Sequence, residues 1–240
     1  MAGPLEPMDT TPATGIDAWD GTLAHARELQ ARLASRVQRR DGFAVPLRTV
    51  AGLAFDLPAH GGTPGAAAVL LDADTLAVLG RQVVQVANPW PGADAPRSFQ
   101  VMPAMVAALS GLPHAPDLAF VEGHGIAHPQ GLGVAAHAGV ATGVPCIGVA
   151  REILMGSAPD THDTRGAYTP LRDAARRQVG WLLRSRTDRA PLVVSPAHRV
   201  ALASTADLVM RFMRAHWLPE PLRLARALLE PDPAGKTAGE

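Results

Sequence analysis

Two short apolar runs, DLAFVEG (117–123) and PCIGVA (145–150), bracket the segment LGVAAHAGVATG (132–143). The flanking runs have the length and apolar density of buried strands, and the middle segment ends in glycine as helices commonly do. A strand–helix–strand unit of this length closes by parallel pairing through a right-handed crossover. It therefore imposes an α/β sheet with helices on its faces, which no other stretch does as strongly.

The chain before this unit follows a different pattern. LRTVAGLAFDL (47–57), AAAVLLD (66–72) and TLAVLGRQVVQVA (75–87) are short and rich in apolar or β-branched residues. HGGTPG separates the first two and a DAD turn the second pair, which predicts an antiparallel three-strand meander. DAWDGTLAHARELQARLASRVQRRD (17–41) spaces its apolar residues for an amphipathic helix, with arginines on the other face. PAMVAALSGL (103–112) reads as a helix, QVGWLLRS (178–185) and PLVVSP (191–196) as strands, and STADLVMRFMRAHW (204–217) and PLRLARALL (221–229) as closing helices. A meander followed by parallel strands is the order of elements in an RNase H-like mixed sheet flanked by helices. With no repeat and no dividing linker, one domain is expected over residues 17–230, between a Pro- and Thr-rich leader (1–16) and a tail (231–240) that are both expected to be disordered.

Formal net charge is zero, so no global field draws the protein to nucleic acid and any polyanion site must be a local patch. The basic residues are nearly all arginine, Lys236 being the only lysine, which favours bidentate phosphate contacts. The single cysteine, Cys146, excludes an intrachain disulfide and a Cys-based zinc cage and suits a reducing compartment. Its apolar setting, VPCIGVA, predicts a packed thiol. The leader lacks the pattern of a signal peptide, and no apolar run reaches the ~18 residues of a membrane span. A cytoplasmic monomer with no membrane partner is expected.

Residues 120–137, FVEGHGIAHPQGLGVAAH, carry the chemistry. A carboxylate, Glu122, closes the strand, and Gly123, His124 and Gly125 follow it. His128, Gly131 and Gly133 complete a loop at the carboxyl end of a parallel strand, where open α/β sheets bind ligands. Glycines here let backbone approach a planar ligand closely. The bland alternative is that they serve turns and that His124, His128 and His137 are ordinary surface or capping groups. His124 and His128 also have an i, i+4 metal-like spacing, although Pro129 and the glycines argue against a continuous helix there. Ser195 and His198 are near neighbours but no third group orients them as a nucleophile pair. Neither a G-x-S-x-G elbow nor a P-loop occurs.

This stretch resembles the endonuclease V family, which carries F-V-D-G-H-G-x-x-H-P-R-x-x-G-x-A-x-H at this place. The likeness continues through VPCIGVA (144–150), AHRV (197–200) and LPEP (218–221) and covers most of residues 20–230. It implies an RNase H-like fold, use of Mg²⁺ (or Mn²⁺), and recognition of DNA or RNA containing inosine with hydrolysis on its 3′ side. It implies base contacts from Trp90, Gly123, His124, Gly125, His128, Gly131 and Gly133, where PWPG (89–92) is a shortened form of the family's P-Y-I-P-G wedge followed by an insert, ADAP. A structural corner is the alternative for that segment. Catalytic roles would fall to Glu122, His198, Asp56 and Arg151, with Glu122 and Asp56 as metal ligands.

The resemblance breaks at the family's acidic positions. The aspartate of A-G-x-D is Ala54, the glutamate of F-R-E is Val101, and the aspartate of V-D-G-H-G is Glu122. Asp56 lies on the face of Ala54, and a two-residue slip in the following hairpin would bring it into the site; otherwise it merely ends the strand. The lysine of G-V-A-K is Arg151, and His198 matches the family's histidine. A unit charge pair at ~4 Å is worth roughly 4 kcal/mol at an effective dielectric of 20, so losing two anionic ligands weakens a metal site by several kcal/mol. The expectation is a divergent member with impaired or lost hydrolysis that still binds. An active Mg²⁺ endonuclease and a partner-binding platform remain as alternatives.

Overall fold

The computed structural model describes residues 22–58, 62–87 and 96–230. Trp90 and the wedge-like segment, together with the leader and tail, lie outside the described residues. The described elements are α1 (Leu23–Ala34), β1 (Thr49–Asp56), β2 (Gly65–Asp72), β3 (Val78–Gln85), α2 (Arg97–Ser110), β4 (Leu118–Glu122), α3 (Val134–Thr142) and β5 (Cys146–Ala150), then β6 (Tyr168–Arg172), β7 (Gln178–Leu183), β8 (Leu192–His198), α4 (Leu202–Arg211) and α5 (Glu220–Ala227).

One eight-stranded sheet runs in the order β3-β2-β1-β4-β5-β8-β7-β6. Its first part is as expected: β1–β2 and β2–β3 pair antiparallel, and β1, β4 and β5 pair parallel. Asp117 fixes the amino ends of β1 and β4 together, its carboxylate accepting from the amides of Arg48 (2.8 Å) and Thr49 (3.0 Å). Glycine ends α3 as its sequence suggests, Gly143 taking φ 72°. On the far side, β5–β8, β7–β8 and β6–β7 are all antiparallel. Strand β6 was not foreseen, because YTPLR is a half-exposed edge with a proline at its centre and no apolar alternation.

The sheet separates two apolar layers. Helices α2 and α3 cover one face, where Leu53, Val101, Met102, Met105 and Val121 pack together. Helices α4 and α5 cover the other, where Ala54, Phe120, Val194, Phe212 and Leu222 pack. Alternation along β1 and β4 thus sends Ala54 and Glu122 to the α5 side and Leu53 and Val121 to the α2 side. At Gly52 a Cβ would collide with the carbonyl of Pro221, so α5 begins in direct backbone contact with β1.

Candidate nucleic-acid interface

The carboxyl ends of β1, β4 and β5 form one edge of the molecule. Glu122 ends β4 opposite Val149 of β5, and the parallel register of β1 and β4 runs from Val50↔Leu118 to Leu53↔Val121. One further step sets Ala54 beside Glu122. The β1–β2 register is unbroken from Thr49↔Asp72 to Asp56↔Gly65, and the β1–β4 register leaves Asp56 two residues beyond the level of Glu122. Asp56 stays exposed at the strand end, on the face of Ala54 and about 6.6 Å further along. Ala54 and Val101 are both fully buried among apolar side chains, and they belong to opposite faces of the sheet.

Glu122 has a partner that motif reading missed. Arg226, in the last turn of α5, donates from Nη1 to the Glu122 carboxylate (3.3 Å) and to the backbone carbonyl of Phe55 (2.9 Å). The two side chains are 27% and 23% exposed, so the pair is partly buried and still reaches solvent. A sequence signal existed: Leu222, Ala225, Arg226 and Leu229 follow i, i+3, i+4, i+7, which places an arginine inside the sheet-facing stripe of α5. Arg97 adds a second cation at this edge, its guanidinium 5.9 Å from the centre of the Phe55 ring.

Beyond Glu122 the chain turns at Gly123, which has φ +110°. Side chains at Gly125 and Gly133 would strike backbone, the carbonyls of Pro196 and His124 respectively. The Gly125 amide donates to the buried Ser195 hydroxyl (2.8 Å), and the Ile126 amide donates to Pro196 (2.9 Å). The amides of Gly131 and Gly133 donate to the carbonyls of His128 (2.7 Å) and Gly125 (2.9 Å). These glycines and amides therefore serve the loop's own packing against β8. Ser195 is accounted for in the same way, as a buried acceptor.

His124 and His128 face this edge half-buried. His124 contacts the Glu152 carbonyl through Nε2 at 2.9 Å, and burial holds its pKa below the ordinary histidine value. Burial, then the neighbouring His124, pushes His128 down to about 4. Burial thus favours the neutral form of both rings. Cys146 is a packed thiol as expected, burial pushing it up to about 12.

His198 is not with Glu122. It pairs with Cys146, whereas Glu122 lies level with Val149, three residues or about 10 Å away along β5. Its Nδ1 accepts from the Gln38 amide (3.4 Å), and burial, with Arg199 and Arg36 nearby, lowers its pKa. Arg151 does reach the edge. It follows β5 and stacks 5.5 Å from the centre of the Trp217 ring. Trp217 in turn walls a cavity of about 290 Å³ with Arg186, Arg189 and His216.

A model of the endonuclease V family matches residues 31–227. The chain belongs to the endonuclease V family. An endonuclease V of Azotobacter vinelandii is 47% identical over 218 residues, 90% of this chain and 97% of that one. Among solved structures, endonuclease V of Streptomyces avermitilis is 34% identical with a TM-score of 0.77, covering 88% of this chain and 93% of that chain. Endonuclease V of Ciona intestinalis, in complex with a 24mer DNA containing an inosine followed by a ribo-adenosine, shares the fold at TM-score 0.73 and 17% identity over 88% of this chain and 96% of its own. Endonuclease V relatives at this level of identity do not support the expectation of a divergent member, and they carry no sign of lost activity.

The endonuclease V family uses Mg²⁺, and the residues at this edge fit that ion poorly. Among the described residues no group of three or more His, Cys, Asp or Glu is placed to hold a metal. The count alone does not decide, because Mg²⁺ is often held by one or two carboxylates together with substrate phosphate. Arg226 decides it. Glu122 is paired with Arg226, whose positive charge opposes a divalent ion at the same place, and Ala54 and Val101 bring no ligand. No helix among the described residues is long and apolar enough to cross a membrane.

Proposed function

We propose that this endonuclease V family protein recognises inosine-containing DNA or RNA at the carboxyl edge of β1, β4 and β5, with Mg²⁺-dependent hydrolysis of the phosphodiester impaired or lost. Recognition is supported by family membership over residues 31–227 and by the Ciona relative, which is in complex with inosine-containing DNA. A neutral His124 and His128 suit contact with an uncharged base, and Arg151, Arg189 and Arg226 suit contact with phosphates. Impaired hydrolysis rests on one observation: the carboxylate of Glu122 is engaged by Arg226, with Ala54 at its side and Val101 buried on the other face.

A second reading, an active endonuclease cleaving 3′ to deoxyinosine, is favoured by the comparisons taken alone, since the relatives bear that name at 47% identity. In it Glu122, Asp56 and Arg151 act at the reacting phosphate. One experiment separates the two. An inosine-containing oligonucleotide and its adenosine counterpart are incubated with the protein in EDTA, Mg²⁺ or Mn²⁺, with binding and cleavage scored separately. Inosine-selective binding without nicking is expected. Metal-dependent nicking that disappears in Glu122→Gln would establish the active endonuclease instead.

A further inference from the structure

We infer that Arg226 is the resident cation of this site: a guanidinium supplied by α5 takes the electrostatic place of a divalent ion and contacts the phosphodiester beside the recognised base. The inference rests on the proposed recognition of nucleic acid and adds how the phosphate is held.

Three observations converge. First, Arg226 is anchored rather than swinging free, because Nη1 is shared between the Phe55 carbonyl (2.9 Å) and the Glu122 carboxylate (3.3 Å). Second, both contacts use the same nitrogen, and among the described residues Nη2 and Nε have no protein acceptor. A guanidinium carries five N–H donors in a rigid fork, so most of its donors remain for a ligand, and the fork matches two phosphate oxygens. Third, the charge balance at the strand ends is permissive. Arg226 offsets the charge of Glu122 and both side chains are partly exposed, so a phosphate reaching the strand ends meets a cation as close as the carboxylate.

The Glu122–Arg226 pair also explains why the carboxylate remains although its family companions are Ala54 and Val101. Glu122 orients the guanidinium, as a carboxylate commonly orients an arginine that binds phosphate. Because a guanidinium keeps its proton throughout the physiological range, such a contact needs neither metal nor a particular pH.

The test has two arms on the full-length protein. In the first, Mn²⁺ is titrated against the protein alone and the free ion is followed by electron paramagnetic resonance. No stoichiometric site tighter than millimolar is expected. A tight site abolished by Glu122→Gln would overturn the inference whatever nucleic acid does. In the second, fluorescence anisotropy follows an inosine-containing single strand in EDTA and in Mg²⁺. Affinity is expected to be the same in both, to fall roughly tenfold in Arg226→Gln, and to recover in part in Arg226→Lys. The slope of log K against log salt should drop by about 0.7 in Arg226→Gln, the share of one phosphate on a single strand. Thermal melts confirm that both variants fold. An unchanged slope and affinity in Arg226→Gln, or binding that requires Mg²⁺, would overturn the phosphate contact. Failure of the wild type to bind any oligonucleotide would overturn that contact together with the proposed recognition, which a tight Mn²⁺ site would leave standing.

Discussion

A Cβ at position 125 would run into the carbonyl oxygen of Pro196, and the amide beside it already donates to the Ser195 hydroxyl at 2.8 Å. Gly125→Ala is therefore a folding variant before it is a binding variant. It should lower the unfolding free energy by about 1–3 kcal/mol, read from urea titrations, with the loop displaced from β8. A stability equal to wild type would show that the close approach is not needed. His128 gives a second measurement at this scale. Its folded pKa is near 4 against an ordinary 6.5, so the unfolded chain binds the extra proton first. The stability linked to it is fully present above pH 6.5 and is lost as pH falls toward 4. His128→Gln should flatten the stability profile in that window, and a profile that keeps its slope would assign the titration elsewhere. Some of these residues were legible from sequence and some were not. The Glu122–Gly125 turn and the packed Cys146 follow from local pattern. Glu122–Arg226 spans 104 positions, and only the arginine in an apolar helical stripe hinted at it.

Helix α5 and strand β1 show what a motif cannot convey. Gly52 lets the α5 backbone sit on β1, and that contact sets how far Arg226 reaches along the strand ends. Gly52→Ala should push α5 outward, destabilise the protein by about 1–3 kcal/mol and weaken the Glu122–Arg226 contact. If Gly52→Ala melts like wild type while binding of an inosine oligonucleotide is unchanged, α5 is not positioned in this way. Strands β1 to β5 were legible because apolar periodicity and turn residues repeat on a short scale. Strands β7 and β8 were legible in the same way and β6 was not, while the antiparallel order of all three depends on which edge remains open once β5 is laid down. The same limit applies to His198. A shared motif grouped it with Glu122, but the β5–β8 register puts it about 10 Å further along the sheet.

A molecule of zero formal net charge can attract a polyanion only through local groups of arginines, and three of them stand at the carboxyl end of the parallel strands. Arg151 follows β5, Arg189 precedes β8 beside Trp217, and Arg226 reaches the end of β4 from α5. Arg48 marks the opposite end, at the amino terminus of β1. Every phosphate neutralised releases counterions, at about 0.7 of slope in log K against log salt for a single strand. The double variant Arg151→Gln, Arg189→Gln should thus flatten the salt dependence of oligonucleotide binding by about 1.4, two phosphates' worth. Arg48→Gln serves as the control and should leave the slope where it was. The effect should be nearly equal for inosine and adenosine strands, because phosphate contacts hold the strand in register without reading its bases. Equal losses from Arg48→Gln and from the edge variants would mean that the surface binds nucleic acid diffusely. A loss confined to the inosine strand would move these arginines from the backbone to the base.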